Sequence, residues 1–407
     1  MGDENNLQAE QSPALDEIQS AYEKGDVTEA KLIFERSFIE YYTDAGYVEV
    51  PELPLISDED GSVLFTGASI SAVKGMLMSG EYPTDSAGVC IAQECLRTNA
   101  LKYAFNNDWI PYGQMYFEMV TILSRPGRFT DVLAEAVDFT QNRLGIDQAR
   151  IKIRSTYMYA NLNTVDTMTH IPVEYDTKPE SYYHWVYGIN GVHGEGLTIC
   201  VFNPATGKWF DIGNIVSIYD ETGKELGIEF GYGYEFSLTA ALGVDQPLKF
   251  SKVFECFEFA QGIPQKYYST LEAVVRMRLA GAKLGDKGVD HVYKQHIKAL
   301  EFMAESMSKS VEELIADMIL FAYFLNRTDY EASMEYEYLL NYIEHKTEFA
   351  NIVKRIGLNL WDLSKGRVTK EKIRDPKALL ENYLVNHGIK PFEVEATLNR
   401  LSRFDIF

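Results

Sequence analysis

Two short apolar runs with a polar loop between them carry side chains that could bind a nucleotide. The first run, residues 89–96, ends at Arg97, and the second, residues 114–122, contains Phe117 and Glu118. The pattern predicts a long antiparallel hairpin with a wide loop. A guanidinium at a strand end suits a phosphate or carboxylate, an aromatic face suits a base, and a carboxylate accepts from amino groups. Spacing alone favours an ordinary surface hairpin, so the rest of the chain has to decide.

The elements that must position these side chains lie on both sides of the hairpin in the sequence. A helix is predicted at 29–45, where apolar residues recur at helical spacing, and 47–55 is predicted as an extended edge segment with two prolines. Another helix is predicted at 130–144. Short strands are predicted at 63–66, 149–155, 184–187, 197–202 and 209–218.

Two glycines precede a further predicted helix. Gly231 and Gly233 lie at the end of a predicted strand that leads into a helix at 235–242. Glycines before a helix amino terminus let backbone amides approach an anion such as a phosphate. A tight packing contact between the helix and the sheet explains the same pattern equally well.

The composition changes near residues 250–264, and strand patterns almost vanish after Lys266. Helices are predicted at 269–284, 289–307, 311–326, 330–345, 348–363, 376–387 and 391–403. We therefore predict an α+β fold in three parts. These are a tail with a short helix at 1–26, a sheet-containing domain at 27–250 and an all-helical domain at 265–407.

The composition limits the classes of function. The 407 residues carry a formal charge of −22, which argues against general nucleic-acid binding because phosphates would be repelled over most of the surface. The four cysteines lie mostly in apolar runs without zinc-like spacing, so reduced core thiols and no metal site are expected. No apolar run could span a membrane, and the amino terminus is not a signal peptide. We expect a cytoplasmic protein with no membrane partner.

Five segments, in this order, resemble alanyl-tRNA synthetases, a family of class II aminoacyl-tRNA synthetases. Residues 92–97, AQECLR, are similar to the family's SQRCVR, and residues 116–119, YFEM, to its FFEM, which together form class II motif 2. Residues 185–199, WVYGINGVHGEGLTI, align with WQMGDTGPCGPCTEI, and residues 211–216, DIGNIV, with EIWNIV. Residues 229–236, EFGYGYEF, resemble DTGMGLER, class II motif 3. Residues 30–45, 55–66, 290–301, 348–365 and 379–395 also resemble segments of the family. The resemblance therefore covers nearly the whole chain at low identity, and it stops where the family's editing and carboxy-terminal domains would begin.

The resemblance implies a fold, a reaction and a site. The fold would be a class II synthetase-type antiparallel sheet flanked by helices, followed by a helical domain like the family's tRNA-recognition region. The reaction would be attack of an amino-acid carboxylate on the α-phosphate of ATP, usually with Mg²⁺. Phe117 would pack on adenine, Glu118 would bind its edge or the ribose side, and Glu229 would bind the α-amino group. Arg97 would be the catalytic residue at the α-phosphate. The residues that contact the nucleotide would be Arg97, Phe117, Glu118, Met119 and Gly233. The residues that contact the amino-acid substrate would be Trp185, Asn214, Glu229 and Gly231. Both glycines would let ATP lie against the backbone.

Several positions depart from the family's pattern. The motif 3 arginine that would grip the γ-phosphate is Phe236 here, and a metal-facing glutamate is Thr198. Gly213 replaces a tryptophan, which predicts a wider pocket, and Lys102 is at best a shifted substitute for a lysine of the motif 2 loop. Losing one charge-assisted phosphate contact costs about 2–4 kcal/mol of transition-state stabilisation. The segment 312–327 has one arginine and several acids where the family has an arginine-rich helix, so tRNA binding in the family's manner is not expected.

Two functions are preferred at this point over a third, a true alanyl-tRNA charging enzyme. The first is a ligase that activates a small amino acid, alanine in the family, or a related carboxylate as an acyl-adenylate with ATP. It would pass the acyl group to a small molecule or a carrier protein instead of tRNA. The second is a catalytically degenerate paralogue that binds an amino acid or a nucleotide and acts as a regulatory or accessory subunit. Phe236 and Thr198 favour the second. The first is favoured by the residues that survive from the family's site, which are Arg97, Phe117, Trp185, Asn214 and Glu229.

Overall fold

The helices lie before, within and after the sheet in chain order. The computed structural model describes residues 13–57, 59–99, 101–104, 114–156, 165, 170–257, 264–327 and 329–344. Its helices are α1 Pro13–Glu23, α2 Val27–Asp44, α3 Lys74–Ser79, α4 Phe129–Asp138, α5 Tyr234–Leu242, α6 Lys252–Phe257, α7 Gln265–Leu279, α8 Gly288–Ser306 and α9 Val311–Phe324. Helical backbone also occurs at Leu101–Ala104 and at 333–344. The helices predicted at 348–363, 376–387 and 391–403 lie outside the described residues.

Within these described ranges the strands form one mixed sheet. They are β1 Tyr47–Glu49, β2 Gly88–Leu96, β3 Tyr116–Ser124, β4 Ile151–Ser155, β5 Val173–Tyr175, β6 His184–Val186, β7 His193–Asn203, β8 Lys208–Tyr219 and β9 Glu225–Gly233. Their order is β1-β2-β3-β9-β8-β7-β4-β5, and β6 pairs with β7. The pairs β1/β2 and β4/β5 are parallel, and the others are antiparallel. The prediction of an α+β fold, with a mainly antiparallel sheet flanked by helices and a helical region after it, is confirmed.

The predicted central hairpin is confirmed by the pairing of β2 with β3. The register runs from Gly88 opposite Ser124 to Leu96 opposite Tyr116. The hairpin of β7 and β8 is closed by a turn in which Asn203 Oδ1 accepts from the backbone N of Ala205 at 2.9 Å. Short turns between apolar runs favour antiparallel neighbours, which explains why the sheet is mainly antiparallel.

Helix α2 fills one face of the sheet. It begins after Asp26, whose Oδ1 accepts from the backbone N of Glu29 at 2.9 Å and so caps the helix. Its buried aromatic rings contact Phe230 and Tyr232 of β9. The apolar stripe that makes these contacts has helical spacing and consists of Ala30, Phe34, Phe38 and Tyr42. Because this face is occupied by the core, any ligand site on the middle of the sheet has to use the other face.

Two predicted strands differ from the structure at the amino-terminal edge. The extended segment 47–55 is a strand only at Tyr47–Glu49, since Pro51 and Pro54 lack the N–H group that a ladder needs. The strand predicted at 63–66 is wrong: its Val63 and Leu64 are exposed, and Leu64 is 50% exposed. Only Thr66 bonds to neighbouring backbone there: its N–H donates to the carbonyl of Leu55 at 2.9 Å, and its carbonyl accepts from the N–H of Leu96 at 2.8 Å. One residue bonded in this way does not make the ladder of a strand.

The helix predicted at 130–144 ends early as an α-helix. After Asp138 the backbone continues as a π-helical turn, Phe139–Arg143, in which the backbone N of Leu144 donates to the carbonyl of Phe139 at 2.8 Å. The hydroxyl of Thr140 donates to the carbonyl of Ala136 at 2.6 Å. A threonine hydroxyl that bonds to the preceding turn disturbs regular α-helical geometry, which accounts for the change.

The chain divides into two compact units. One contains Met1–Thr98 and Ile110–Lys294, and the other contains Asn99–Trp109 and Gln295–Phe407. The first holds the whole sheet, and the division falls inside α8. The predicted domain limits, 27–250 and 265–407, stay a prediction. None of the helices in the described part of the chain combines the length and the hydropathy that crossing a membrane requires.

Candidate functional site

The cross-strand register gathers most of the predicted residues on one face of the sheet. Directly opposed residues of an antiparallel pair point to the same side, and successive residues along a strand point to opposite sides. One row across the sheet defines what we call the site face, and its members are Thr121, Gly231, Asn214, Thr198 and Arg154. Residues two or four positions away from this row along β3 and β9 point to the same face. They are Phe117, Met119, Glu229 and Gly233. The fold therefore joins residues from β3, β8 and β9 that are far apart in sequence.

Arg97 follows β2 directly, and its guanidinium covers the ring of Phe117. The Cζ atom of Arg97 lies 4.6 Å from the ring centroid, and its Nε donates to the carbonyl of Gly67 at 3.1 Å. The Nη groups of Arg97 form no hydrogen bond with any described residue, so they are available to an anion. In this conformation the covered face of Phe117 is occupied, and a base can use that face only after Arg97 moves.

Of the two glycines predicted to lie under ATP, only Gly233 leaves open space. A Cβ atom on Gly233 would meet nothing within 4 Å, whereas one on Gly231 would lie 2.5 Å from Oγ1 of Thr121. Thr121 is fixed there by a hydrogen bond with Ser69. The backbone of Gly231 is therefore covered by a protein side chain, so ATP cannot lie against both glycines as expected. A substrate contact at Gly231 stays a prediction.

Glu229 is a partly exposed carboxylate beside Tyr187. Its Oε2 accepts a hydrogen bond from the Tyr187 hydroxyl at 2.9 Å. Desolvation raises the pKa of Glu229 from 4.5 to about 7, against the lowering effects of Tyr187, Arg97 and Lys74. Lys74 forms an ion pair with Asp60, in which its Nζ lies 2.6 Å from Asp60 Oδ2. Within the described ranges Glu229 forms no ion pair. A desolvated carboxylate without an ion-pair partner is a favourable site for an ammonium group.

Asn214 and Trp185 lie on the same side as Glu229. The hydroxyl of Thr198 donates to Asn214 Oδ1 at 2.9 Å. Trp185 on β6 is opposite Gly194, and it packs against the cluster of buried residues that includes Tyr187. A carboxamide, an acid and an aromatic ring on one side of a sheet are groups that suit a small amino acid.

Glu118 points to the opposite face of the sheet. It forms an ion pair with Lys31 of α2, whose Nζ is also 3.0 Å from Glu235 Oε1. Burial alone would lower the pKa of Lys31, but these two carboxylates raise it. Glu118 lines a cavity of about 290 Å³ together with four other acids, which are Glu35, Glu49, Glu52 and Glu94. Because the strand alternates, Glu118 is not brought together with Phe117 and Arg97, and an adenine contact by Glu118 disagrees with this arrangement.

Two departures from the family's pattern can be located. The wider pocket expected at Gly213 is wrong, because Gly213 faces the core: a Cβ atom there would lie 2.7 Å from Cε1 of Tyr232. Phe236 on α5 packs against Phe210, with ring centroids 6.2 Å apart, so it supplies an apolar contact and no charge. The side chain of Lys102 lies outside the described residues.

Sequence reasoning missed Tyr187 and Thr121. Tyr187 lies inside the segment that resembles the family, but no spacing rule links it to a glutamate forty residues later. Thr121 lies in the return strand, and threonine is a common residue type in strands, so its position gave no functional signal. Thr198 was recognised only as the loss of an acid. Its hydrogen bond to Asn214 depends on the register of β7 and β8, which the sequence does not specify.

Comparison with known proteins gives one family match and several similar structures. The family model "tRNA synthetases class II (A)" matches residues 34–173, about a third of the chain. This region contains Arg97, Phe117, Glu118 and Met119, and it ends before Trp185 and the residues that resemble motif 3. The residues in the match are therefore similar to class II tRNA synthetases, and the match does not specify alanine.

Three similar solved structures are tRNA synthetases. Apo histidyl-tRNA synthetase of S. aureus has 12% identity over 54% of this chain and 71% of that chain, with a TM-score of 0.35. A pyrrolysyl-tRNA synthetase of Desulfitobacterium hafniense has 10% identity over 57% and 78%, with a TM-score of 0.35. The RNA binding domain of threonyl-tRNA synthetase from Cryptosporidium parvum Iowa II has 10% identity over 53% and 64%, with a TM-score of 0.35. Likenesses of this strength carry no argument about function.

Proposed function

We propose that the chain is an ATP-dependent ligase that activates a small amino acid, or a related carboxylate, as an acyl-adenylate. The observation that carries the proposal is the site face, where a guanidinium, an aromatic ring, an open stretch of backbone and an acid lie on one side of one sheet. These are Arg97, Phe117, Gly233 and Glu229. The match of residues 34–173 to class II tRNA synthetases supports the same class of reaction.

The proposed reaction follows from these groups. The substrate ammonium binds Glu229, and the base lies on the Phe117 side of Gly233. A carboxylate oxygen attacks the α-phosphorus, the bond to the bridging oxygen breaks, and pyrophosphate leaves. Arg97 turns from the ring of Phe117 and stabilises the negative charge that grows on the α-phosphate. No protein base is needed, because the attacking carboxylate is already ionised at neutral pH.

Mg²⁺ would enter this reaction with the nucleotide. The part of the chain that the structure describes contains no group of three or more His, Cys, Asp or Glu side chains that could hold a metal ion. When bound to the phosphates, Mg²⁺ would neutralise their charge during the transfer.

The acceptor in this proposal is a small molecule or a carrier protein and not tRNA. Helix α9 carries Glu312, Glu313 and Asp317, and it has no lysine or arginine between Val311 and Phe324. Its outward side chains include Tyr323, which is 65% exposed. Phosphate recognition needs cationic groups, so this helix is poorly suited to an acceptor stem.

Pyrophosphate exchange tests the proposal. The full chain is incubated with ATP, labelled pyrophosphate and each of a panel of amino acids that includes glycine, L-alanine and L-serine. We expect exchange with at least one of them, and a loss of about 100-fold or more in Arg97→Gln because one charge-assisted phosphate contact is removed. Arg36→Gln is the matched control, since Arg36 is an exposed arginine that pairs with Glu29 on α2. No exchange with any member of the panel would overturn the proposal.

A specific observation favours the alternative function, a degenerate paralogue that binds a ligand without turnover. Phe236 supplies no charge where the family has a cation, and Arg97 rests on Phe117. Isothermal titration calorimetry distinguishes the two functions. Binding of ATP or an amino acid without pyrophosphate exchange would support the paralogue, and formation of AMP with an amino acid would exclude it.

A further inference from the structure

Thr198 stands where the family has an acid, and its side chain is 2% exposed in the middle of β7. We propose that Thr198 is a positioning residue that fixes the carboxamide of Asn214, so that the Nδ2 group of Asn214 faces the substrate and donates to its carboxylate. This inference rests on the proposed function, in which Asn214 is a substrate contact, and adds to it the residue that orients Asn214.

The argument starts from the two ends of the asparagine side chain. A carboxamide has an acceptor, Oδ1, and a donor, Nδ2, and the partner at one end decides which end is presented elsewhere. The hydroxyl of Thr198 donates to Oδ1 at 2.9 Å. Within the described residues Asn214 has no other side-chain hydrogen bond, so Nδ2 keeps its donors for a ligand. A β-branched side chain in a strand has few rotamers, which holds the hydroxyl in place.

The neighbour on the other side of Thr198 does not compete for Asn214. Arg154 lies directly opposite Thr198 on β4. Its Nη1 pairs with Asp211 Oδ1 at 2.9 Å, and its Nε pairs with Glu174 Oε1 at 3.4 Å. The guanidinium is therefore neutralised locally, and the hydroxyl of Thr198 remains the partner of the carboxamide.

This orientation places a donor, Asn214 Nδ2, next to an acceptor, the carboxylate of Glu229. Asn214 is opposite Gly231, which is two residues from Glu229, so Asn214 and Glu229 are diagonal neighbours on the site face. Such diagonal positions are about 7–8 Å apart between Cα atoms, within reach of one small zwitterion. Glu229 would take the ammonium and Nδ2 the carboxylate. The site would then prefer a free amino acid to its carboxamide.

The test uses Thr198→Val, which keeps the shape and removes the hydroxyl, and Thr198→Ser, which keeps the hydroxyl, in the full chain. Calorimetry measures binding of L-alanine and L-alaninamide, and pyrophosphate exchange gives KM and kcat. We expect Thr198→Val to raise the Kd and KM for L-alanine about tenfold, because an unfixed carboxamide presents its donor only part of the time. We expect kcat to change less than threefold, L-alaninamide binding to change little, and Thr198→Ser to stay within about twofold of the parent. Equal Kd values for the parent and Thr198→Val would overturn the inference.

A second measurement needs no ligand. The side-chain amide signals of Asn214, assigned by their loss in Asn214→Asp, report hydrogen exchange with solvent by NMR. We expect both Nδ2 protons to exchange freely in the parent. One protected Nδ2 proton in the parent that becomes free in Thr198→Val would show the reverse orientation and overturn the inference. If the parent binds no amino acid, the proposed function fails, while the amide exchange still decides the orientation of Asn214.

Discussion

Replacing Glu229 by glutamine tests whether desolvation controls the charge at the centre of the site. In the folded chain the pKa of Glu229 is about 7, and its ordinary value is 4.5. Between these values the folded state holds a proton that the unfolded state has lost. The free energy of unfolding therefore contains a favourable contribution below pH 4.5, which disappears as the pH rises through about 7. Glu229→Gln cannot titrate and lacks this contribution at every pH.

The size of the effect follows from the change in pKa. A rise from 4.5 to about 7 corresponds to about 3 kcal/mol at most. Glu229 is partly exposed, and screening by solvent reduces this to about 1–2 kcal/mol. We expect the unfolding free energy of the parent, minus that of Glu229→Gln, to fall by about this amount from pH 5 to pH 8. Contributions from other groups are common to both proteins and cancel.

Urea denaturation at several pH values between 5 and 9 measures this difference. Glu195→Gln is the matched control, since Glu195 is an exposed glutamate on β7 of the same sheet, and its curve should run parallel to that of the parent. A difference between the parent and Glu229→Gln that is constant from pH 5 to pH 8 would refute the reasoning, because Glu229 would then titrate alike in both states. A difference that rises with pH would mean that a cation stabilises the ionised form.

Two further predictions concern stability. Lys31→Met should destabilise the chain by about 3–5 kcal/mol in urea denaturation, because Glu118 and Glu235 would lose their buried cation. Adding Glu118→Gln to Lys31→Met should recover part of that loss. Additive effects of the two substitutions would contradict the coupling between these residues. Gly196→Ala should lower the free energy of unfolding by more than about 2 kcal/mol, since its Cβ would collide with a backbone carbonyl of β8. Gly75→Ala in α3, which has open space, should be neutral or stabilising by about 0.5–1 kcal/mol, and an equal response of both glycines would argue against the strand packing.

The sequence predicted the elements that have a strong local pattern. The hairpin of β2 and β3 and helix α2 both follow from the periodicity of apolar residues, which acts over a few positions. The strand predicted at 63–66 was wrong, because only Thr66 bonds to neighbouring backbone and an apolar run does not specify how many of its residues will pair. The π-helical turn after Asp138 depends on where one threonine hydroxyl bonds, and hydrophobic spacing does not encode that choice.

The sequence by itself determined which chemical groups are available: an arginine at the end of a strand, an aromatic ring on the return strand and an acid before two glycines. Only the tertiary structure decided which of them share a face. The register of β3, β8 and β9 places Phe117, Asn214 and Glu229 on one face of the sheet and Glu118, which pairs with Lys31, on the other face. A strand alternates with a period of two, so a shift of one residue exchanges the faces, and only the neighbouring strands and the core on α2 fix that shift.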